Sequence, residues 1–170
     1  MPLPELVNTS KSLAVTPVWA VPDERDGYTW FQVPLSIDGV VEAGLTLGAG
    51  AYANIPDRHV TFELAVDGPK RTRLIRLDWR SLKGGHSNHR RKCSGALSGL
   101  RVPATHLHSF EANFDDKRGR MKSGKLPCAE PVKEDLPTFE EVRRFVGTSF
   151  RINNIELVPV PPWEYDLFNA

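Results

Sequence analysis

The chain has 170 residues, of which 40% are apolar and 25% are charged, a composition that suits one globular domain with a single core. Its net charge of +1 excludes a protein that binds acidic polymers over its whole surface, yet ten Lys/Arg residues and one acid fall between residues 70 and 101. No apolar run of about 18 residues occurs, and no basic-then-apolar signal pattern opens the chain. We therefore expect a cytoplasmic protein without membrane contact, with Cys93 and Cys128 as free thiols.

The first half of the chain predicts an antiparallel sheet. Residues 1–27, rich in proline and polar side chains, predict a loosely packed segment with an edge strand near 12–21. Four runs of alternating apolar residues follow, and Asp38-Gly39 and Asp67-Gly68 supply turn signals between them. The runs cover residues 31–37, 41–47, 60–66 and 71–79. Four consecutive antiparallel strands are the simplest assembly.

The second half predicts a long polar loop and then a short helix. Residues 81–102 lack periodicity. Thr138 and Glu141 have the spacing of a capping box, and apolar residues recur at helical intervals before Gly147. The sequence thus predicts an α+β fold, in which one short C-terminal helix packs on an antiparallel meander that is curved or barrel-like. The single domain, 1–170, comprises the N-terminal segment 1–27, a sheet over 28–110, and a loop, helix and closing extended segment over 111–170.

Two histidines near the centre of the chain give the clearest functional signal. If residues 105–110 are extended, the side-chain period of two places His106, His108 and Phe110 on one face and Leu107 on the other. Imidazoles titrate near neutral pH and bind metals, so the pair suits either proton transfer or metal binding.

Further polar residues lie on the preceding strand and loop. Arg76 and Asp78 are two residues apart, so they lie on one strand face, where the guanidinium and carboxylate can orient each other. The loop that follows adds His86 and Asn88 and then three consecutive cations, suited to lie beside a phosphate backbone. These cations are Arg90, Arg91 and Lys92.

Metal-independent cleavage of RNA, which needs no cofactor, is the function that fits these residues best. The reaction requires a base, an acid and cations beside the phosphate, and a ring such as Trp79 or Phe110 can stack on a base. We predict catalytic roles for His86, His106 and His108, and binding roles for Arg76, Asp78, Asn88, Arg90, Arg91, Lys92 and Phe110. The expected partner is RNA, and the oligomeric state stays open.

Two alternatives remain. One is a non-catalytic module that binds nucleic acid or a small protein partner, such as an antitoxin-like or phage accessory protein. The other is a metal-dependent hydrolase that uses His86, His106 and His108. A structural zinc site at His86, His89 and Cys93 is less favoured, because the spacing is no zinc knuckle and the neighbouring side chains are basic.

A resemblance covers roughly residues 70–156. The order Arg76-Leu77-Asp78, His86-Ser87-Asn88 and His106-Leu107-His108-Ser109-Phe110 resembles a family of small uncharacterised bacterial and phage proteins. Its members combine an Arg-Leu-Asp strand, a His-x-Asn loop and a His-x-His strand followed by an aromatic residue. The resemblance implies no established activity. Size and residue types suggest a similarity to the toxin-like ribonucleases of toxin-antitoxin and phage-conflict systems.

Overall fold

A computed structural model describes residues 1–166, in which an open seven-stranded antiparallel sheet carries the other elements. In chain order the elements are α1 (Leu3–Asn8), β1 (Ser12–Leu13), β2 (Tyr28–Ile37), β3 (Val40–Tyr52), β4 (Val60–Val66), β5 (Thr72–Trp79), β6 (His86–Ser87), β7 (Arg101–Val102), β8 (His106–His108), α2 (Phe110–Asn113), β9 (Phe114–Asp115), β10 (Arg120–Met121), β11 (Glu130–Pro131) and α3 (Phe139–Phe150). The main sheet has the order β1-β2-β3-β4-β5-β8-β11, and two ribbons, β6 with β7 and β9 with β10, stand apart.

The predicted α+β fold is confirmed, and the meander β2 to β5 follows the alternating apolar pattern. Asp38 and Gly39 have φ values of 49° and 80°, which suit a tight hairpin turn between β2 and β3. Within residues 1–166, no helix is both long and apolar enough to cross a lipid bilayer.

The core lies between α3 and one face of the sheet. Phe62, Leu77 and Trp79 are buried there with the apolar stripe of α3, and the Trp79 indole donates to the Leu136 carbonyl at 2.9 Å. The helix extends beyond Gly147 to Phe150, where Arg151 caps it in the left-handed region. The polar residues of β5 therefore face the opposite side of the sheet, away from α3.

The N-terminal segment is packed more firmly than its composition predicts. Leu6 and Val7 on α1 and Leu13 on β1 are buried in the core, and β1 pairs with β2 at the sheet edge. The predicted edge strand near 12–21 is only two residues long and ends at Leu13, since the next residue, Ala14, donates to the carbonyl of Pro34, which has no N–H to donate in return.

Lys11 makes the stability of this segment depend on pH. Its side chain is 1% exposed, and its ammonium donates to the carbonyls of Val7 and Thr9. Burial, reinforced by the charge of Arg151, lowers the pKa of Lys11 from 10.5 to about 8. Between these two values the unfolded chain binds more protons than the folded chain, so the free energy of unfolding rises with pH.

We expect urea denaturation to show this rise between pH 8 and 10.5 and the Lys11→Met variant to lack it. The quantity compared is the difference in the free energy of unfolding between native protein and the variant at each pH. Taking this difference cancels the titration of the other groups. Parallel pH profiles for the two proteins would contradict this role for Lys11.

The two cysteines form a disulfide, so the expectation of free thiols is wrong. Cys93 and Cys128 are bonded, with their Cα atoms 5.5 Å apart. The bond joins the basic loop to the segment that follows β10, 35 residues further along the chain. Disulfides persist in oxidising compartments, so this bond and the expected cytoplasmic location predict different redox environments.

Candidate metal centre

The register of the sheet brings four of the predicted polar residues together. β5 and β8 pair antiparallel, with Asp78 opposite His106 and Arg76 opposite His108. Because side chains alternate along a strand, these residues share the sheet face that points away from α3. Both histidines are buried, at 3% and 7% exposure.

His86 reaches the same point from the separate ribbon of β6 and β7. Its ring centre lies 4.8 Å from that of His106 and 5.4 Å from that of His108. The neighbouring glycine permits this approach, because a Cβ atom on Gly85 would lie 1.6 Å from the carbonyl oxygen of Val102. A residue with any side chain would push β6 away from β7 and move His86.

Backbone carbonyls fix the orientation of two of the imidazoles. His106 Nδ1 lies 2.7 Å from the Pro103 carbonyl oxygen, and His108 Nδ1 lies 2.6 Å from that of Leu126. A carbonyl oxygen only accepts, so each Nδ1 must donate a proton. The Nε2 atom of each ring is thereby presented to the cluster, which is the arrangement commonly found for metal-binding histidines.

The carboxylate of Asp78 divides its two oxygens between anchoring and the cluster. Oδ1 accepts hydrogen bonds from Arg76 at 2.7 and 3.1 Å and from the Thr61 hydroxyl at 2.9 Å. Oδ2 lies 3.3 Å from His106 Nε2 and 3.6 Å from His108 Nε2. Burial opposes ionisation of Asp78, but hydrogen bonds from His106 and His108, made when their Nε2 atoms also carry a proton, and the charge of Arg76 outweigh it and hold the pKa of Asp78 well below its ordinary value. A bound metal ion would take the place of those Nε2 protons.

These distances fit a shared cation. Candidate ligand atoms of His86, His106 and His108 all lie within 4.8 Å of one another, so one shared ion would draw the most distant pair closer by up to about 1.4 Å. Two ligands of a tetrahedral ion with bonds of about 2.0–2.1 Å lie about 3.3–3.4 Å apart, close to the spacing from Asp78 Oδ2 to His106. Three imidazoles with an adjoining carboxylate suit a divalent transition metal.

One ring nitrogen of His86, Nε2, is buried without a hydrogen-bond partner. Within residues 1–166, His86 Nε2 and Trp163 Nε1 are the buried side-chain nitrogen or oxygen atoms without a hydrogen bond. Buried polar atoms without a partner are uncommon in proteins, and binding of an ion is one recognised explanation for them. Burial also lowers the pKa of His86, which favours the neutral ring that a metal requires.

A cleft of about 630 Å³ opens onto the cluster. Its cations are Arg76, Lys83, Lys92 and Lys125. The lining contains one acidic residue, Asp78, so its cations outnumber its acids and the cleft suits an anionic substrate.

His59 also lines this cleft, although sequence reasoning missed it. Its Nδ1 accepts the Leu82 backbone N–H at 3.0 Å, so the neutral ring carries its proton on Nε2. Burial lowers the pKa of His59, which favours this neutral form. Only an isolated histidine before β4 marks it in the sequence.

Several predicted site residues have structural roles instead. Phe110 is 4% exposed and stacks on Phe114, because Ser109 caps α2 and ends the extended conformation before Phe110. Trp79 is 1% exposed in the core. Asn88 is buried, and its amide bonds the backbone of Leu97 and Ala129, so it fixes the loop rather than a ligand. Their predicted contact with a substrate stays a prediction, while the contacts seen for these three side chains lie within the fold.

The predicted zinc run in the basic loop does not come together. Cys93 is used in the disulfide, and His89 Nδ1 accepts the backbone N–H groups of Arg91 and Lys92. Arg90, Arg91 and Lys92 are exposed. Lys92 lines the cleft at the cluster and, with Arg91, a second basic cleft of about 590 Å³.

Comparisons with known proteins leave the chain without a match: no family model fits it, and no curated protein or solved structure shows significant similarity to it.

Proposed function

We propose that this protein is a metal-dependent hydrolase of phosphodiesters, with RNA as the first substrate to test. The proposal rests above all on the convergence of three imidazoles, two of them oriented by backbone carbonyls, at the base of a cationic cleft. It selects the metal-dependent alternative over the metal-independent acid–base reaction that the sequence favours.

The spacing of the histidines supports this choice. An acid and a base for RNA cleavage must stand on different sides of the scissile phosphate, with the phosphate between them. Here the Nε2 atoms of His106 and His108 both turn to one carboxylate oxygen, 3.3 and 3.6 Å away, which leaves no room for a phosphate between the rings. A single cation, by contrast, fits between these atoms.

The ligand set leaves a position for water or substrate. Zinc on three imidazoles has a fourth position free, and manganese or iron with Asp78 added has further positions free. A metal bound here would supply Lewis-acid polarisation of a phosphoryl oxygen and an activated water near neutral pH.

The remaining residues hold the substrate and stabilise its negative charge. Arg76 fixes Asp78, while Lys83, Lys92 and Lys125 attract the phosphate into the cleft. The neutral ring of His59 donates a hydrogen bond from its Nε2–H to a phosphoryl oxygen, while its Nδ1 stays bonded to Leu82.

Metal content and turnover test the proposal together. Purified protein should carry about one divalent transition metal per chain by elemental analysis and should cleave RNA or bis(p-nitrophenyl) phosphate. Chelator should stop cleavage, and one equivalent of metal should restore it. The His59→Ala variant should keep its metal while its turnover falls by about 10²- to 10³-fold, the loss expected when one hydrogen-bond donor to a developing oxyanion is removed.

Three outcomes would contradict the proposal. Cleavage that continues at full rate in chelator would support the metal-independent reaction instead. RNA binding without cleavage by metal-loaded protein would support the binding module. Failure to bind zinc, manganese or iron in a direct titration would remove the centre itself.

A further inference from the structure

We infer that Tyr28 and Trp30 form a stacking site for a base of single-stranded nucleic acid, on the same sheet face as the histidine cluster. The inference rests on the proposed function, because it names the substrate class of that centre. It concerns a shallow groove of about 340 Å³ lined by β2, β3, β4 and β5, which none of the predicted site residues enters.

The sheet register places the groove in line with the cluster. Trp30 pairs with Gly50, Gly50 with Thr61, Thr61 with Asp78, and Asp78 with His106. Paired residues lie on the same face of a sheet, so one row of side chains leads from Trp30 to the metal ligands. Four strand spacings of about 4.8 Å separate its ends by about 19 Å, the length of a few nucleotides.

The aromatic rings in this groove are exposed to solvent. Trp30 is 51% exposed and Tyr28 is 41% exposed. The Tyr28 ring lies over Gly50, where a Cβ atom would come within 2.5 Å of the tyrosine hydroxyl. A glycine opposite Trp30 therefore lets the rings form a platform, and aromatic platforms bind unstacked bases.

The charges of the groove favour a base over a phosphate. Glu63 pairs with Arg71 at 3.2 Å and with Arg73 at 2.7 Å, and Arg71 also pairs with Asp67. These cations are already neutralised, whereas Lys83, Lys92 and Lys125 beside the cluster have no such ion pair among the salt bridges of residues 1–166. The substrate therefore places a base on the groove and a phosphate at the cluster.

The groove and the cleft at the cluster lie side by side on the sheet. Thr61 lines the groove and bonds Asp78, which lines the cleft. On the same face, the Tyr28 ring lies 5.3 Å from that of Tyr52, which lies 5.3 Å from His59 in the cleft. A single strand that binds both sites would run along this row of side chains.

Binding of oligouridylate of about eight nucleotides to chelator-treated protein tests the site without requiring hydrolysis. Trp30→Ala should weaken binding by about 5- to 100-fold, and Trp30→Phe should restore most of the affinity. Gly50→Ala, which displaces Tyr28, should weaken binding more than the matched change Gly48→Ala, whose Cβ would meet its nearest atom at 3.6 Å.

Equal affinity of native protein and Trp30→Ala would overturn the inference. Loss of affinity in Trp30→Ala without recovery in Trp30→Phe would also count against stacking. Oligothymidylate in a parallel arm tells DNA from RNA. If native protein binds metal and cleaves RNA while Trp30→Ala binds equally well, the stacking site alone fails. If Trp30→Ala loses affinity while native protein binds no metal, the proposed function alone fails.

Discussion

Replacement of His108 with alanine is expected to reduce the bound metal from about one ion per chain to a small fraction of that amount, because the ring supplies one of three convergent nitrogens. His106→Ala should have the same effect, since the two rings are oriented alike by backbone carbonyls. Loss of an outer partner of a ligand commonly costs about 10- to 100-fold in metal affinity, so loss of a ligand should cost at least about 100-fold. Competition with a chromophoric chelator measures this change.

His89→Ala is the matched control, because His89 lines the same cleft but turns Nδ1 to the backbone. Its metal affinity should stay within about threefold of native, well under the loss expected for a ligand. His108→Ala leaves the Leu126 carbonyl without its donor, so His108→Gln, which retains a donor, guards against simple misfolding. Native affinity in folded His106→Ala and His108→Gln would disprove the centre.

Removal of the disulfide is expected to produce the largest loss of stability. Cys93 and Cys128 are 35 residues apart. Closing a loop of that length lowers the entropy of the unfolded chain and so stabilises the folded protein by about 3–4 kcal/mol. The double variant Cys93→Ser with Cys128→Ser should show this difference in urea denaturation. Native protein under reducing conditions should approach the same value.

The same change should also weaken metal binding, because Leu126 lies two residues from Cys128. Its carbonyl orients His108, and its φ of 46° is a conformation that leucine seldom adopts without outside support. We expect the double variant, still folded, to bind metal about 10- to 100-fold more weakly than native. Unchanged stability and unchanged affinity would show that the bond supports neither the fold nor the centre.

Much of the candidate site follows from strand alternation. Arg76, Asp78, His106 and His108 lie on two strands, and a period of two is enough to place each pair on one face. Their meeting across strands depends on β5 pairing with β8 rather than with the chain that follows it directly. That non-local pairing has no signature in the local sequence.

Other parts of the site depend on contacts that periodicity does not encode. Phe110 matches the alternating strand pattern in the sequence, but it does not lie on the strand. The Ser109 side chain accepts a hydrogen bond from the Ala112 N–H and starts a helix at this point. Trp30 follows an ordinary strand pattern, and only its pairing with Gly50 makes it part of an open groove. Asn88 is a residue type that often binds ligands, yet it is buried here and its amide bonds the backbone. Tertiary packing determines this role, and the local sequence does not encode it.

The close approach of Gly85 to Val102 gives a criterion for recognising relatives of this protein. A Cβ atom at position 85 would lie 1.6 Å from the Val102 carbonyl oxygen, so this position tolerates no side chain. We therefore expect a homologous chain that keeps the first histidine to have glycine immediately before it. A Gly-His pair, preceded by Arg-x-Asp and followed by His-x-His, is therefore a stricter search pattern than the histidines alone. We expect chains that carry the three histidines but a bulkier residue at this position to lack the proposed metal site.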